Sequence, residues 1–331
     1  MKALLCKEWG PPENLVVEEL PDRQPGERQV LIRVHAAGVN FPDVLIIQKK
    51  YQVRPELPFS PGTECAGVVA AVGAKVEGVQ PGDRVIAFSS FGAFAEQVVV
   101  DADRLIAVPD GMDLDVASAF AMAYGTSYHA LLDRGALQPG ETVLVLGASG
   151  GVGLAAVQIA KAAGARVIAA ASTAAKLDIC RQHGADELIN YATEDLKQRI
   201  MDLSGGKGVD VIFDPVGGSF TEAALRCCAW RGRLLIVGFA NGEVPKLAAN
   251  LPLLKGCSIV GVFWGDYNRR QPQANAADLA QLFAWLQAGK LRPHIAAKFP
   301  LERGAQAIRA LMDRQVSGKV VIDLRPDRVR H

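Results

Sequence analysis

The stretch Glu141-Thr-Val-Leu-Val-Leu-Gly147-Ala148-Ser149-Gly150-Gly151-Val152-Gly153, continued by Leu154-Ala-Ala-Val-Gln-Ile-Ala-Lys161, decides how this chain folds. It reads as a short apolar strand, a tight glycine turn and a helix of small residues. A dinucleotide pyrophosphate needs that order. The backbone must come close to the phosphates, so side chains at the turn are small, and the helix N-terminus offers N–H groups and partial positive charge to the anion. Glycines alone are a weak signal; their place between a strand and a helix is what gives the pattern meaning.

Outward from the turn, residues 125 to 263 alternate strands with helices. Residues 143–146, 165–170, 187–189, 209–213, 234–237 and 258–263 read as buried strands, with helices near 151–163, 174–183, 193–203 and 219–229. Six strands with helical crossovers predict a doubly wound parallel sheet. Residues 1 to about 120 differ: short β-like runs at 29–34, 67–72, 83–88 and 94–100 are broken by Gly and Pro, as in a small barrel or sandwich. After the parallel region come helices at 275–289 and 302–314, a strand at 319–324, and a polar tail, Arg325-Pro-Asp-Arg-Val-Arg-His331, that reads as frayed. The expected division is 1–124 with 266–331 against 125–265, with a ligand cleft between the two.

The bulk properties exclude several classes. The chain has 331 residues, 36 basic and 35 acidic, for a net charge of +1, so it carries no electrostatic footprint for nucleic acid or an anionic membrane. No run has the apolar length of a membrane span. The opening Met1-Lys-Ala-Leu-Leu-Cys-Lys-Glu8 lacks the apolar core and cleavage site of a signal peptide. Six cysteines form no C-x-x-C pair and read as buried apolar residues. A cytoplasmic protein in a reducing compartment is expected.

Further stretches stand beside the turn at 147–153: Ala37-Gly38-Val39-Asn40-Phe41-Pro42-Asp43, Pro61-Gly62-Thr63-Glu64-Cys65-Ala66-Gly67, Pro81-Gly82-Asp83-Arg84-Val85, Tyr124-Gly125-Thr126-Ser127-Tyr128-His129-Ala130-Leu131, Asp214-Pro-Val-Gly-Gly218 and Ser317-Gly318-Lys319-Val320-Val321. With them the chain resembles the medium-chain dehydrogenase/reductase superfamily, and within it the zinc-independent quinone oxidoreductase (zeta-crystallin-like) branch. Together they span residues 1 to 324. The resemblance implies an α/β architecture, with a GroES-like β-barrel domain joined to a Rossmann domain. It also implies a homodimer paired through the edge strand at 258–263.

The resemblance also bears on metal and cofactor. Zinc alcohol dehydrogenases carry Cys where this chain has Asn40 and His where it has Thr63, and a four-cysteine lobe that is missing here. Asn and Thr are poor zinc ligands, so no metal is expected. Chemistry without a zinc Lewis acid suits an activated acceptor, a quinone or an α,β-unsaturated carbonyl. An NAD-preferring site places a carboxylate about 20 residues into the motif. Here that stretch is Ile168-Ala-Ala-Ala-Ser172-Thr173, followed by Lys176, and NADPH is expected. In NADPH-using relatives a Lys at the position of Lys176 and a Tyr at that of Tyr191 contact the 2′-phosphate. A solvated Lys176 and a packing Tyr191 are the alternatives.

The cofactor set is then Thr126, Ala148, Ser149, Gly150, Gly151, Val152, Gly153, Ser172, Lys176, Tyr191, Gly238, Phe239, Phe263 and Trp264. Ala148, Gly150 and Gly153 give the A-x-G-x-x-G variant of that branch. Core packing is the alternative for Phe239, Phe263 and Trp264. The catalytic candidates are Asn40, as donor to an oxygen gaining charge, and Asp43; helix capping is the alternative for Asn40. Leu45 and Ile47 stand where many relatives have Tyr and Arg, which makes the pocket wall more apolar. His35, His129, His183 and His294 read as structural, and Cys227-Cys228 as packing on a helix. Asn268-Arg269-Arg270 reads as a loop after the last sheet strand. If those arginines met a carrier phosphate, the chain would be an enoyl-thioester reductase; a nucleotide-binding protein with little catalysis is the more distant alternative.

Overall fold

The computed structural model describes residues 1–325; the polar tail expected at the C-terminus lies, from Pro326 on, outside the described residues. The chain forms two compact units, residues 1–121 with the chain from Ile295 onward, and residues 122–294.

The first unit opens with the antiparallel pair β1 (Lys2–Leu5) and β2 (Val16–Glu19). The long strand β3 (Gln29–Val39) follows, then helix α1 (Phe41–Ile47), β4 (Glu64–Val72), β5 (Arg84–Phe88), β6 (Gln97–Asp101), β7 (Leu105–Ala107) and the short helix α2 (Leu114–Ala117). β3 is the hub: its first half pairs with both β4 and β6. One leucine-, isoleucine- and valine-rich core, including Ile32, Ile46, Ile47 and Phe94, fills this unit.

The second unit begins with α3 (Ala121–Tyr128) and β8 (Thr142–Leu146). It continues through α4 (Gly151–Ala162), β9 (Arg166–Ala171), α5 (Ala174–Gln182), β10 (Glu187–Asn190), α6 (Leu196–Leu203) and β11 (Val209–Asp214). Then come α7 (Ser219–Leu225), β12 (Cys228–Ile236), α8 (Asn250–Lys255), β13 (Ser258–Gly261), α9 (Trp264–Arg270) and α10 (Pro272–Gln287). The sheet order is β10-β9-β8-β11-β12-β13, all parallel. In order of appearance that is 3-2-1-4-5-6, with the switch between β8 and β11, where doubly wound sheets bind ligands beyond the strand ends. The core strands are apolar on both faces because helices cover both.

The chain then returns to the first unit as β14 (Ile295–Pro300), α11 (Gly304–Met312) and β15 (Lys319–Asp323), and β15 pairs antiparallel with β3.

The structure departs from the sequence reading in three places. The divisions fall at 121/122 and 294/295 rather than 124/125 and 265/266, because α9 and α10 pack on the second unit: the Trp285 ring meets Tyr128 at 5.8 Å. Cys227 and Cys228 do not lie on a helix: α7 stops at Leu225 and Cys228 opens β12. Asn268, Arg269 and Arg270 are not a loop but the end of α9, where both guanidinium groups bind Asp266, Arg269 at 2.6 Å.

Candidate active site

The glycine turn stands at the switch point, and its geometry explains its sequence. β8 delivers a fully buried strand end, and Gly147 makes the reversal in the left-handed region at φ +56. A side chain at Gly147 would also meet Val216 Cγ2 at 2.8 Å. Because Gly147 makes the turn, the first motif position tolerates a methyl: Ala148 is buried, and its N–H donates to Ala170 O at 3.0 Å, tying the turn to β9. Gly153 is glycine for another reason. A Cβ there would lie 2.3 Å from Gly147 O, so the first turn of α4 presses on the loop. Gly150 precedes the helix with extended backbone, and a Cβ there would find only Gly147 O, at 3.4 Å. The N–H groups of Gly151, Val152 and Gly153 have no acceptor inside the helix and stand at its positive end. This is a backbone seat for an anion. Ser127 Oγ donates to Val152 O at 2.8 Å, which brings α3, and with it Thr126, to the same helix turn.

The end of β9 carries no carboxylate. Thr173 Oγ1 accepts from Lys176 N at 3.3 Å and starts α5, while Tyr191 N donates to Ala171 O at 3.1 Å. Ser172, Lys176 and Tyr191 thus gather at one strand end, and the Tyr191 ring also packs on Phe220 at 4.7 Å. Across the switch, buried Asp214 organises the next loop. Its Oδ1 accepts from Val216 N at 2.8 Å and Gly217 N at 3.0 Å, and its Oδ2 accepts from Thr221 Oγ1 at 2.5 Å. Val237 N donates to Asp214 O at 2.9 Å and Ala240 N to Pro215 O at 3.0 Å, so the Gly238-Phe239 loop sits against this turn.

Phe263 is 58% exposed ahead of α9. Trp264 is buried, its indole N–H donates to Asn275 Oδ1 at 2.8 Å, and a Cβ at Gly125 would meet its ring at 2.8 Å. It is a packing residue of this unit, the alternative left open by the sequence, and it explains the glycine in Tyr124-Gly125-Thr126. His129 likewise packs, stacked on Tyr267 with ring centroids 4.0 Å apart.

In the first unit, the turn from β3 into α1 builds a buried polar cluster. Asn40 heads α1, and its backbone N–H donates to Asp43 Oδ2 at 2.7 Å. Its carboxamide is fully engaged. Nδ2 donates to Gly38 O and to Glu64 Oε2, both at 3.2 Å, and Oδ1 accepts from Lys319 Nζ at 2.5 Å. Lys319 Nζ also donates to Val39 O at 3.3 Å and lies 3.7 Å from Glu64 Oε2. Both amide hydrogens already have acceptors, so Asn40 reaches a further oxygen only by sharing one of them. Sequence reading missed Glu64 and Lys319 as partners of Asn40. A buried charge at each of two family motifs was the signal that was present.

Asp43 is fully buried, and burial pushes its carboxyl up to about 7 against the opposing effect of the Asn40 N–H, the Thr63 hydroxyl and the Lys319 charge. Burial pulls the Lys319 ammonium below the ordinary lysine range, with Glu64 and Asp43 acting the other way. Among the described residues no three His, Cys, Asp or Glu side chains are grouped to hold a metal ion. No described helix is long and apolar enough to cross a membrane.

Comparisons with known proteins agree with this geometry. Residues 26–110 match the alcohol dehydrogenase GroES-like domain, and residues 151–284 match the zinc-binding dehydrogenase family. Quinone oxidoreductase-like protein 2 homolog of Nematostella vectensis is 40% identical over 97% of this chain and 88% of its own length. Quinone oxidoreductase of Pseudomonas aeruginosa is 36% identical over 95% of this chain and 97% of its own. Among solved structures, Escherichia coli quinone oxidoreductase complexed with NADPH superposes with a TM-score of 0.91 at 30% identity, covering 98% of this chain and all (100%) of that one.

Proposed function

The chain belongs to the zinc-independent quinone oxidoreductase branch of the medium-chain dehydrogenase/reductase superfamily, and from that membership we propose that it is an NADPH-dependent reductase of quinones or α,β-unsaturated carbonyls. The observation that carries the reading is the glycine turn at the sheet's switch point beside a strand end free of carboxylates. When bound, the nicotinamide cofactor supplies a hydride. Gly151, Val152 and Gly153 hold the pyrophosphate through backbone N–H groups, with Ala148, Ser149 and Gly150 forming the turn beneath them, where the Gly150 N–H donates to Gly147 O at 3.0 Å. Ser172, Lys176 and Tyr191 accept the 2′-phosphate, which a carboxylate there would repel. Thr126, Gly238, Phe239 and Phe263 border the nicotinamide end.

At the acceptor, the Asn40 N–H edge, whose two contacts are long at 3.2 Å, shares a hydrogen with the oxygen that gains charge, and most of the acceleration comes from positioning. No metal enters this scheme, as Asn40 and Thr63 stand where zinc dehydrogenases carry thiolate and imidazole. The thioester alternative draws no support from Arg269 and Arg270, which are held by Asp266.

A homodimer through β13 is part of the proposal. That strand ends the six-stranded sheet, and exposed Trp230, Leu253, Leu254 and Ile259 lie on and beside it, with the Trp230 ring seated over Gly256. All six cysteines are free, which suits the reducing cytoplasm. The acceptor class is tested by NADPH oxidation with 1,4-benzoquinone and 9,10-phenanthrenequinone set against 2-alkenals and crotonyl-CoA. Faster turnover of quinones or carrier-free enones supports the proposal; saturable activity confined to crotonyl-CoA transfers it to the thioester class.

A further inference from the structure

We infer that Lys319, with Glu64, is the positioning residue of the reduction, setting which edge of the Asn40 carboxamide is offered to the acceptor. The inference rests on the reductase reading above. Asn40 is the one polar side chain at the head of α1 with an amide to donate, and an amide has two nearly isosteric orientations. The surroundings select between them. Oδ1 meets the ammonium of Lys319 at 2.5 Å, while Nδ2 meets the Gly38 carbonyl and the Glu64 carboxylate, each at 3.2 Å. Flipped, the amide oxygen would face two acceptors and the amide nitrogen would face an ammonium. Three groups with no freedom to move aside make that state prohibitive: Glu64 and Lys319 are buried, and Gly38 is packed so tightly that a Cβ there would lie 2.3 Å from Ser118 O. Lys319 arrives from β15, 279 residues away in sequence, so the orientation is a tertiary property and not a local cap.

The same contact polarises the amide. A cation on the oxygen draws electron density from the nitrogen, so the N–H edge donates more strongly to an oxygen gaining charge. Lys319 acts only through Asn40 and touches no reacting atom. Glu64 Oε2 lies 3.7 Å from the ammonium and opposes the effect of burial on it, and either partner left alone would lose that compensation.

The test therefore removes both charges at once. The variants are Lys319→Met with Glu64→Gln, Asn40→Ala, and all three together. The expected result is a loss of kcat with 1,4-benzoquinone of about tenfold to hundredfold for the pair, with the Kd for NADPH unchanged. Adding the pair to Asn40→Ala should cause no further loss, because nothing remains to be oriented. Independent losses that multiply, or an unchanged kcat in the pair, overturn the inference. Selective ¹⁵N labelling of asparagine gives a readout that does not need turnover. The Asn40 side-chain N–H signals should be protected from exchange in the wild type and lose that protection in the pair. If the wild type fails to reduce any quinone, the reductase reading fails, and the protection experiment still decides whether Lys319 and Glu64 hold the amide.

Discussion

Gly150 and Gly153 sit three residues apart in one turn, and the structure assigns them different jobs that two alanine substitutions separate. Alanine normally stabilises a helix relative to glycine by about 0.5–1 kcal/mol. At Gly153 the sign should reverse. The new Cβ would lie 2.3 Å from Gly147 O and 2.8 Å from the Ala148 backbone, about 1 Å short of ordinary contact, and the colliding atoms are main chain. Overpacking of this kind costs about 1–3 kcal/mol, or roughly 3–10 °C in Tm for a unit of this size. Relief requires α4 to back away from the turn, so the N–H groups at its head leave the phosphate, and the Kd for NADPH should rise about tenfold or more. Gly150→Ala meets only Gly147 O, at an ordinary 3.4 Å, in an extended backbone that any residue adopts. Its Tm should stay within about 2 °C of wild type. Its methyl group nevertheless stands where the phosphate must approach the main chain, and the Kd should rise about tenfold. Thermal unfolding and a fluorescence titration with NADPH measure both. A Gly150→Ala protein that binds NADPH like wild type refutes the phosphate seat, and a Gly153→Ala protein of unchanged Tm refutes the packing argument.

Lys176→Ala should weaken NADPH much more than NADH; equal weakening in a parallel titration contradicts the assignment of Lys176 to the 2′-phosphate. Asp43 binds a proton more readily folded than unfolded, its carboxyl lying at about 7 against the ordinary 3.8, so it takes stability away as pH rises through that window, by about 4 kcal/mol across it. The Tm of Asp43→Asn relative to wild type should accordingly climb between pH 4 and pH 7, and a pH-independent difference counts against the buried carboxyl. Leu253→Asp combined with Leu254→Asp should convert a dimer to monomers in sedimentation velocity, because both side chains are exposed beside the edge strand β13; a protein that sediments as a monomer before substitution removes the dimer proposal.

What was legible in the sequence was what repeats locally. β8, β9 and β11 announce themselves because strands buried on both faces are unbroken apolar runs, and the glycines after β8 mark a turn that few other residues could make. β12 was read too short because its first half carries exposed Trp230 and Arg231, the latter at φ +62, where the pattern looks like a turn. The long-range features were invisible. Gly125 is glycine because Trp264 leans on it, and no spacing connects them. The Asn40 motif was found, yet the state of its amide depends on Lys319 and Glu64, which only the pairing of β15 and β4 with β3 brings together. A polar residue can therefore be recognised from its neighbours in sequence while its donor capacity is set elsewhere.

The central claim is tested most directly by following NADPH absorbance at 340 nm with purified protein in EDTA, using 1,4-benzoquinone and 9,10-phenanthrenequinone as acceptors and NADH in parallel. Turnover should survive the chelator and favour NADPH over NADH. Tight NADPH binding with no turnover of any quinone or enone would contradict it and leave a nucleotide-binding protein without the reductase chemistry.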